Sequence, residues 1–86
     1  MALISVVTVV RNDCDALRKT HDSLAGQLFR DFEWVIIDGA STDGTAEYAL
    51  SIRTSDTQVV SERDSGIFDA MNKGIDRATG TFCAAL

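Results

Sequence analysis

Short apolar runs rich in branched residues alternate along this chain with longer amphipathic stretches that carry polar caps, and that alternation admits few folds. Residues 3–9 and 33–37 are apolar almost throughout, which suits strands covered on both faces, because a strand with one wet face would alternate with polar side chains. With residues 58–61 and 81–86 as two further strands, the pattern reads βαβαβαβ, an α/β chain built on a parallel sheet. The first helix is expected to start near Asn12 or Asp13, to carry Leu17, His21, Leu24 and Leu28 at helical spacing, and to end by Phe29. The second follows Ser41-Thr42-Asp43-Gly44. The third spans residues 66–78, with Ile67, Ala70, Met71, Ile75 and Ala78 as its inward stripe and Gly80 as its stop.

There is no proline, internal repeat or low-complexity tract, so residues 1–86 are expected to form a single unit. Residues 81–86 read as a strand whose end loop should follow, which makes a truncated domain the expectation. Its incomplete sheet would offer an edge and an apolar face to another chain, and a homo-oligomer is one expected consequence.

A chain of 86 residues buries only about 60–65% of its unfolded surface, so the core is modest. Its longest apolar run, residues 3–10, is far short of the roughly 20 residues of a membrane span, and it ends in Arg11-Asn12-Asp13 rather than a cleavage site. A cytoplasmic location is the expectation. A net charge of -5 argues against nucleic acid as a partner but leaves room for a small anionic ligand. Cys14 and Cys83 form no CxxC and have no histidine pair nearby, so both read as reduced structural residues.

Ligands of open parallel α/β sheets bind beyond the carboxyl ends of the strands, and here residues 8–13, 38–44 and 62–66 are all polar. The first of these turns lacks glycine, which removes GxGxxG, and GxxxxGK[ST] is absent throughout. A carboxylate at Asp38 can accept from a nucleobase N–H or a ribose hydroxyl; equally, Asp38 can order its turn while Asp43 caps the next helix. Asp13-Cys14-Asp15 imitates a metal-binding Asp-x-Asp but falls in the first turn of a helix, where acidic residues cap amides. His21 stands alone and reads as packing or surface; Trp34 reads as core, with a pocket-shaping role as the alternative. In residues 61–74, Asp64, Asp69, Asn72 and Lys73 surround Gly66 and Gly74, although a glycine inside a helix costs about 1 kcal/mol relative to alanine. Either a ligand needs backbone room there, or the acids cap and pair while the glycines let the helix approach the sheet.

Three blocks occur in order: Ile4-Ser5-Val6-Val7-Thr8-Val9-Val10-Arg11-Asn12, then Phe32-Glu33-Trp34-Val35-Ile36-Ile37-Asp38-Gly39-Ala40-Ser41-Thr42-Asp43-Gly44-Thr45, then Ser61-Glu62-Arg63-Asp64-Ser65-Gly66-Ile67-Phe68-Asp69-Ala70-Met71-Asn72-Lys73-Gly74. Together they resemble a family 2 glycosyltransferase, closest to the bacterial enzymes that build surface polysaccharides. The resemblance implies the N-terminal half of a GT-A domain, a Rossmann-like three-layer parallel sheet that binds a nucleotide diphosphate sugar. It further implies inverting transfer to a saccharide or lipid-linked acceptor, at the inner face of the membrane. The candidate substrate-binding residues it implies are Thr8, Val9 and Asn12 bordering the nucleotide, Asp38 and Ser41 at the base or ribose, and Asp64, Gly66 and Asn72 closing the donor pocket.

Two positions depart from the family pattern. Ala40 stands where many relatives have glycine, and Arg63 where they often have proline; Arg63 either brings positive charge near a diphosphate or forms a solvated pair with Glu62 and Asp64. The family's metal-binding carboxylates and general base belong beyond Leu86. No catalytic or metal residue is therefore assigned within the chain, a divalent cation (Mg or Mn) is expected only for the complete enzyme, and the 86 residues alone are expected to be inactive. A noncatalytic nucleotide-binding or assembly module is the alternative reading.

Overall fold

In the computed structural model, which describes residues 4–26, 32–54, 57–63, 66–78 and 82–85, strands and helices alternate throughout: β1 (Ile4–Val10), α1 (Cys14–Ala25), β2 (Phe32–Asp38), α2 (Thr45–Ile52), β3 (Thr57–Ser61), α3 (Ile67–Arg77) and β4 (Phe82–Ala85). The sheet has four strands in the order β3-β2-β1-β4, and every pairing is parallel. This is the expected Rossmann-like order: β1 to β3 step outward one way, and α3 carries the chain back across the sheet to place β4 on the other side of β1.

Alternation along β1 and β2 divides the core into two layers. Val6, Val10, Trp34 and Ile36 meet Leu17 and Leu24 of α1 and Ala49 of α2, whereas Val7, Val35 and Ile37 meet Ala70 of α3. Val35, Ile36 and Ile37 are fully buried, as a strand sandwiched between helical layers must be. Two polar pairs are satisfied inside these layers: Trp34 Nε1 donates to Thr8 Oγ1 at 2.9 Å, and Ser5 Oγ donates to Glu33 Oε1 at 2.6 Å across the β1–β2 register. Trp34 is core, and His21 packs against it with ring planes 6° apart while Tyr48 meets His21 edge-on.

The inward stripe of α3 differs from expectation at one position. Ile75 is half exposed, and Gly74 is buried in its place. A Cβ at Gly74 would overlap Val7 Cγ1 and stand 3.3 Å from Ile37 Cγ1, so the helix lies on the sheet at a distance that only glycine permits. Gly66 serves a different purpose. The space around it is open, but its φ of 129° belongs to the region that favours glycine. Phe68 and Ile75 face outward from α3, Phe68 being 84% exposed. Leu28, Gly80 and the side chain of Ile67, also assigned in the sequence reading, lie outside the described residues.

The helix starts differ: α1 has a side-chain cap, whereas α2 and α3 have Gly44 and Gly66 at their N-caps, with no side-chain cap bond. Asp13 Oδ1 accepts from Ala16 N at 3.1 Å and opens α1, the role read for it from sequence. Asp43 Oδ1 accepts from the amide of Thr45 at 3.0 Å and also from its hydroxyl, at the start of α2. The Thr45 hydroxyl is the main reason the Asp43 carboxyl titrates below its ordinary value of 3.8. A lowered folded value means the Asp43–Thr45 interaction stabilises fully above 3.8 and is lost as pH falls through the lower folded value. Acid unfolding followed by circular dichroism should therefore give a shallower acid limb for Asp43→Asn than for the parent chain, with the two curves parallel at neutral pH. Equal acid slopes would show that the Asp43–Thr45 interaction does not form in solution.

Candidate functional site

The register places Val10, Asp38 and Ser61 in one row at the carboxyl edge of the sheet. Backbone bonds carry that row into the turns, with Gly39 N donating to Val10 O at 2.9 Å and Glu62 N donating to Asp38 O at 3.0 Å. Asp38 itself is fully buried. Its Oδ2 accepts from Ser41 N at 2.9 Å and from Ser61 Oγ at 2.8 Å, and its Oδ1 accepts from Ser41 Oγ. Ser41 Oγ in turn accepts from Asn12 N at 2.8 Å, and Asn12 Oδ1 accepts from Thr42 N at 2.8 Å.

One carboxylate thus ties together the ends of three strands. The geometry demands that Asn12 and Ala40 adopt left-handed backbone, with φ of 49° and 57°. Asparagine enters that region readily; alanine does so at a cost on the order of 1–2 kcal/mol. The chain places Ala40 there because Ser41 must return to Asp38 within one short turn.

A second tie secures α3. Lys73 Nζ donates to Arg63 O at 2.5 Å and forms ion pairs with Glu62 at 3.3 Å and with Asp69, one helical turn away, at 3.6 Å. Pairs this exposed contribute little stability, so their effect is to set position. Glu62 therefore pairs with Lys73 rather than with its neighbour Arg63.

Above the braced row opens a cavity of about 560 Å³, lined by Arg11, Gly39, Ala40, Thr42 and Arg63. Its walls come from the turns after β1, β2 and β3. Another cavity, of about 340 Å³, lies at the opposite ends of the strands among His21, Leu24, Phe32, Trp34 and Ile52; it is not where parallel α/β sheets bind ligands.

The residues singled out from sequence take different places. Asn12, Asp38 and Ser41 converge, but as the brace beneath the cavity. Thr8 is buried with its hydroxyl accepting from Trp34, and Val9 packs toward the α3 layer. Gly66 is the exposed N-cap of α3; Asn72 is exposed on that helix, turned away from the Ala70 and Gly74 side that meets the sheet. Asp64 lies outside the described residues. Arg11 lies within the turn from Thr8 to Asn12 expected to border the nucleotide, without having been singled out there, and Thr42 was not chosen although it adjoins Ser41, which was. The signal lay in the strand ends: the first residues past a parallel strand form the rim of whatever opens there.

Among the described residues no three His, Cys, Asp or Glu side chains converge in a way that could hold a metal ion. Nor, among those residues, is any helix long and apolar enough to cross a membrane.

Comparisons with known proteins agree with this architecture. The family model described as Glycosyl transferase family 2 matches residues 5–86. A PGL/p-HBAD biosynthesis glycosyltransferase of Mycobacterium bovis is 37% identical over 83 residues, covering 93% of this chain and 32% of the relative. A putative teichuronic acid biosynthesis glycosyltransferase of Bacillus subtilis, TuaG, is 34% identical, covering 98% of this chain and 34% of that protein. Among solved structures, the mannosyltransferase PcManGT of Pyrobaculum calidifontis, in complex with GDP-Man and Mn2+, superposes with a TM-score of 0.76 at 25% identity, covering 90% of this chain and 24% of that one. The chain spans about a third of the length of these curated relatives.

Proposed function

The chain belongs to glycosyl transferase family 2, and from that membership we propose that the cavity at its carboxyl edge receives the nucleotide diphosphate sugar of an inverting transfer to a polysaccharide or lipid-linked acceptor. The observation that carries this reading is the cavity of about 560 Å³ standing over the Asp38 brace, at the end of the sheet where parallel α/β folds take ligands. Its volume falls within the 300–1,000 Å³ or so typical of small-molecule sites. A pre-tied rim also limits the ordering entropy lost on binding. Support comes as well from the mannosyltransferase neighbour, whose complex contains GDP-Man and Mn2+.

In this reading residues 1–86 supply the donor-binding half of a longer enzyme working in the cytoplasm at the inner face of the membrane. The described residues do not fit a divalent-cation site: no three His, Cys, Asp or Glu among them converge, and Asp38 is buried and occupied by three hydrogen bonds. A cation that neutralises the departing diphosphate, and a base that takes the acceptor's proton, belong to other residues of the enzyme. Asp38 acts here by holding the rim.

Titrating the chain with UDP, GDP and dTDP, followed by calorimetry and by amide NMR, tests the proposal. Saturable binding is expected with at least one nucleotide, with the largest shifts at Arg11, Gly39, Thr42 and Arg63. A folded chain that shows no saturable shift with any of them, with or without Mn2+, would overturn it.

A further inference from the structure

We propose that Arg11 and Arg63 grip the phosphates of the donor by protein charge alone, with no cation required for that contact; this rests on the donor-binding reading above. Two arginines line one concavity in a chain that carries only 8 Lys and Arg against 13 Asp and Glu. In such a chain an arginine would ordinarily be drawn to a carboxylate. Among the described residues the nearby acids are occupied otherwise. Glu62 and Asp69 pair with Lys73, and Asp38 is buried beneath its three donors. Among the described residues neither Arg11 nor Arg63 has an ion-pair partner, and both are exposed.

The two residues come from different strand ends, Arg11 directly after β1 and Arg63 just after β3, with Gly39, Ala40 and Thr42 between them. Gly39 presents no side chain to that floor, so a ligand approaches the backbone closely between the two cations. Guanidinium matches phosphate oxygens with paired N–H donors, a geometry lysine does not reproduce. Lys73 holds the Arg63 carbonyl, so the main chain that carries Arg63 is tied to α3.

Affinity should then follow phosphate number, not cation supply. In EDTA at low salt, calorimetric titration of the 86-residue chain with a nucleoside, its monophosphate and its diphosphate is expected to show affinity rising at each step and falling as salt is added. Arg11→Ala and Arg63→Ala should each weaken diphosphate binding roughly tenfold, the size of one charge-assisted hydrogen bond, and leave nucleoside binding unchanged. Arg63→Lys should recover only part of the loss. Both positions are exposed, so the variants should keep the parent amide spectrum, which checks their folding. A phosphate increment that appears only after Mn2+ is added, or that survives both alanine variants, overturns the arginine assignment and leaves the donor site standing. Absence of binding by every nucleotide, with Mn2+ present as well, overturns the donor reading and this inference with it.

Discussion

Asp38→Ala is expected to lose about 3 kcal/mol of stability, because the substitution strands donors that a buried carboxylate now satisfies. Bonds to an ionised acceptor contribute about 1.5–3 kcal/mol each, yet Ser61 and part of Ser41 can turn to water once the carboxylate is gone, which keeps the sum well below the total of three. For a domain whose whole stability is about 5–15 kcal/mol, such a loss brings unfolding close to ambient conditions. Urea unfolding gives the number directly, as a lowered midpoint with the slope retained. Amide hydrogen exchange locates it: the Ser41 amide, whose acceptor is the carboxylate, should lose protection first, whereas the Glu62 amide bonds the Asp38 main-chain carbonyl, which alanine keeps. Asp38→Asn should be milder, since an amide keeps one acceptor oxygen but turns its other end into a donor facing donors. A loss below about 1 kcal/mol for the alanine variant would mean the clasp does not hold in solution.

Gly74→Ala sets two opposed effects against each other. Alanine is favoured over glycine within a helix by about 1 kcal/mol. Against that, the new Cβ overlaps Val7 Cγ1 and crowds Ile37, and Val7 is buried on a strand held by β2 on one side and β4 on the other. Such a residue cannot step aside. Overpacking of this kind costs about 1–3 kcal/mol, and with no flexible side-chain end to absorb it the upper part of that range is expected, for a net loss of about 2 kcal/mol. The paired variant Val7→Ala with Gly74→Ala removes the overlap and should be more stable than the sum of the two single losses, by an interaction energy of about 0.5–3 kcal/mol. A neutral or stabilising Gly74→Ala would show that α3 stands further from the sheet than described.

Much of the fold was legible because its signals are local. A buried parallel strand announces itself through consecutive branched apolar residues, and β1 and β2 match residues 3–9 and 33–37 to within about two residues at their ends, the ordinary fraying between criteria. Caps are equally local: Asp13 fills the role its position suggests, whereas Gly44 rather than Asp43 is the N-cap of α2, and Asp43 bonds Thr45 from the residue before it. The inward stripe of α3 was misread at Ile75 for a reason that also is physical. Periodicity counts apolar side chains, whereas Gly74 makes its contact by having none, and only the approach of the helix to Val7 reveals that.

The site was less legible. Asn12, Asp38 and Ser41, expected at the nucleotide, come together at the strand ends, yet whether Asp38 faces a ligand or its own turn is not written in the spacing. For Arg63 a solvated pair with Glu62 and Asp64 was one of two readings; Lys73 takes Glu62, from a helix that begins after the turn, and Asp64 lies outside the described residues. Arg11 and Thr42 became visible as lining residues only when the turns after β1 and β2 were brought beside the one after β3.

The sequence by itself determined the alternation of strands and helices, the two-sided burial of the central strands and the end of the sheet where chemistry can gather, because hydrophobic periodicity and capping act over a few neighbouring residues. Which carboxylates are occupied and which cations are left facing the cavity was decided only by the tertiary structure. The reason is register: a hydrogen-bond partner is chosen by which residues of distant strands share a row, and the row of Val10, Asp38 and Ser61 exists only once the sheet is assembled.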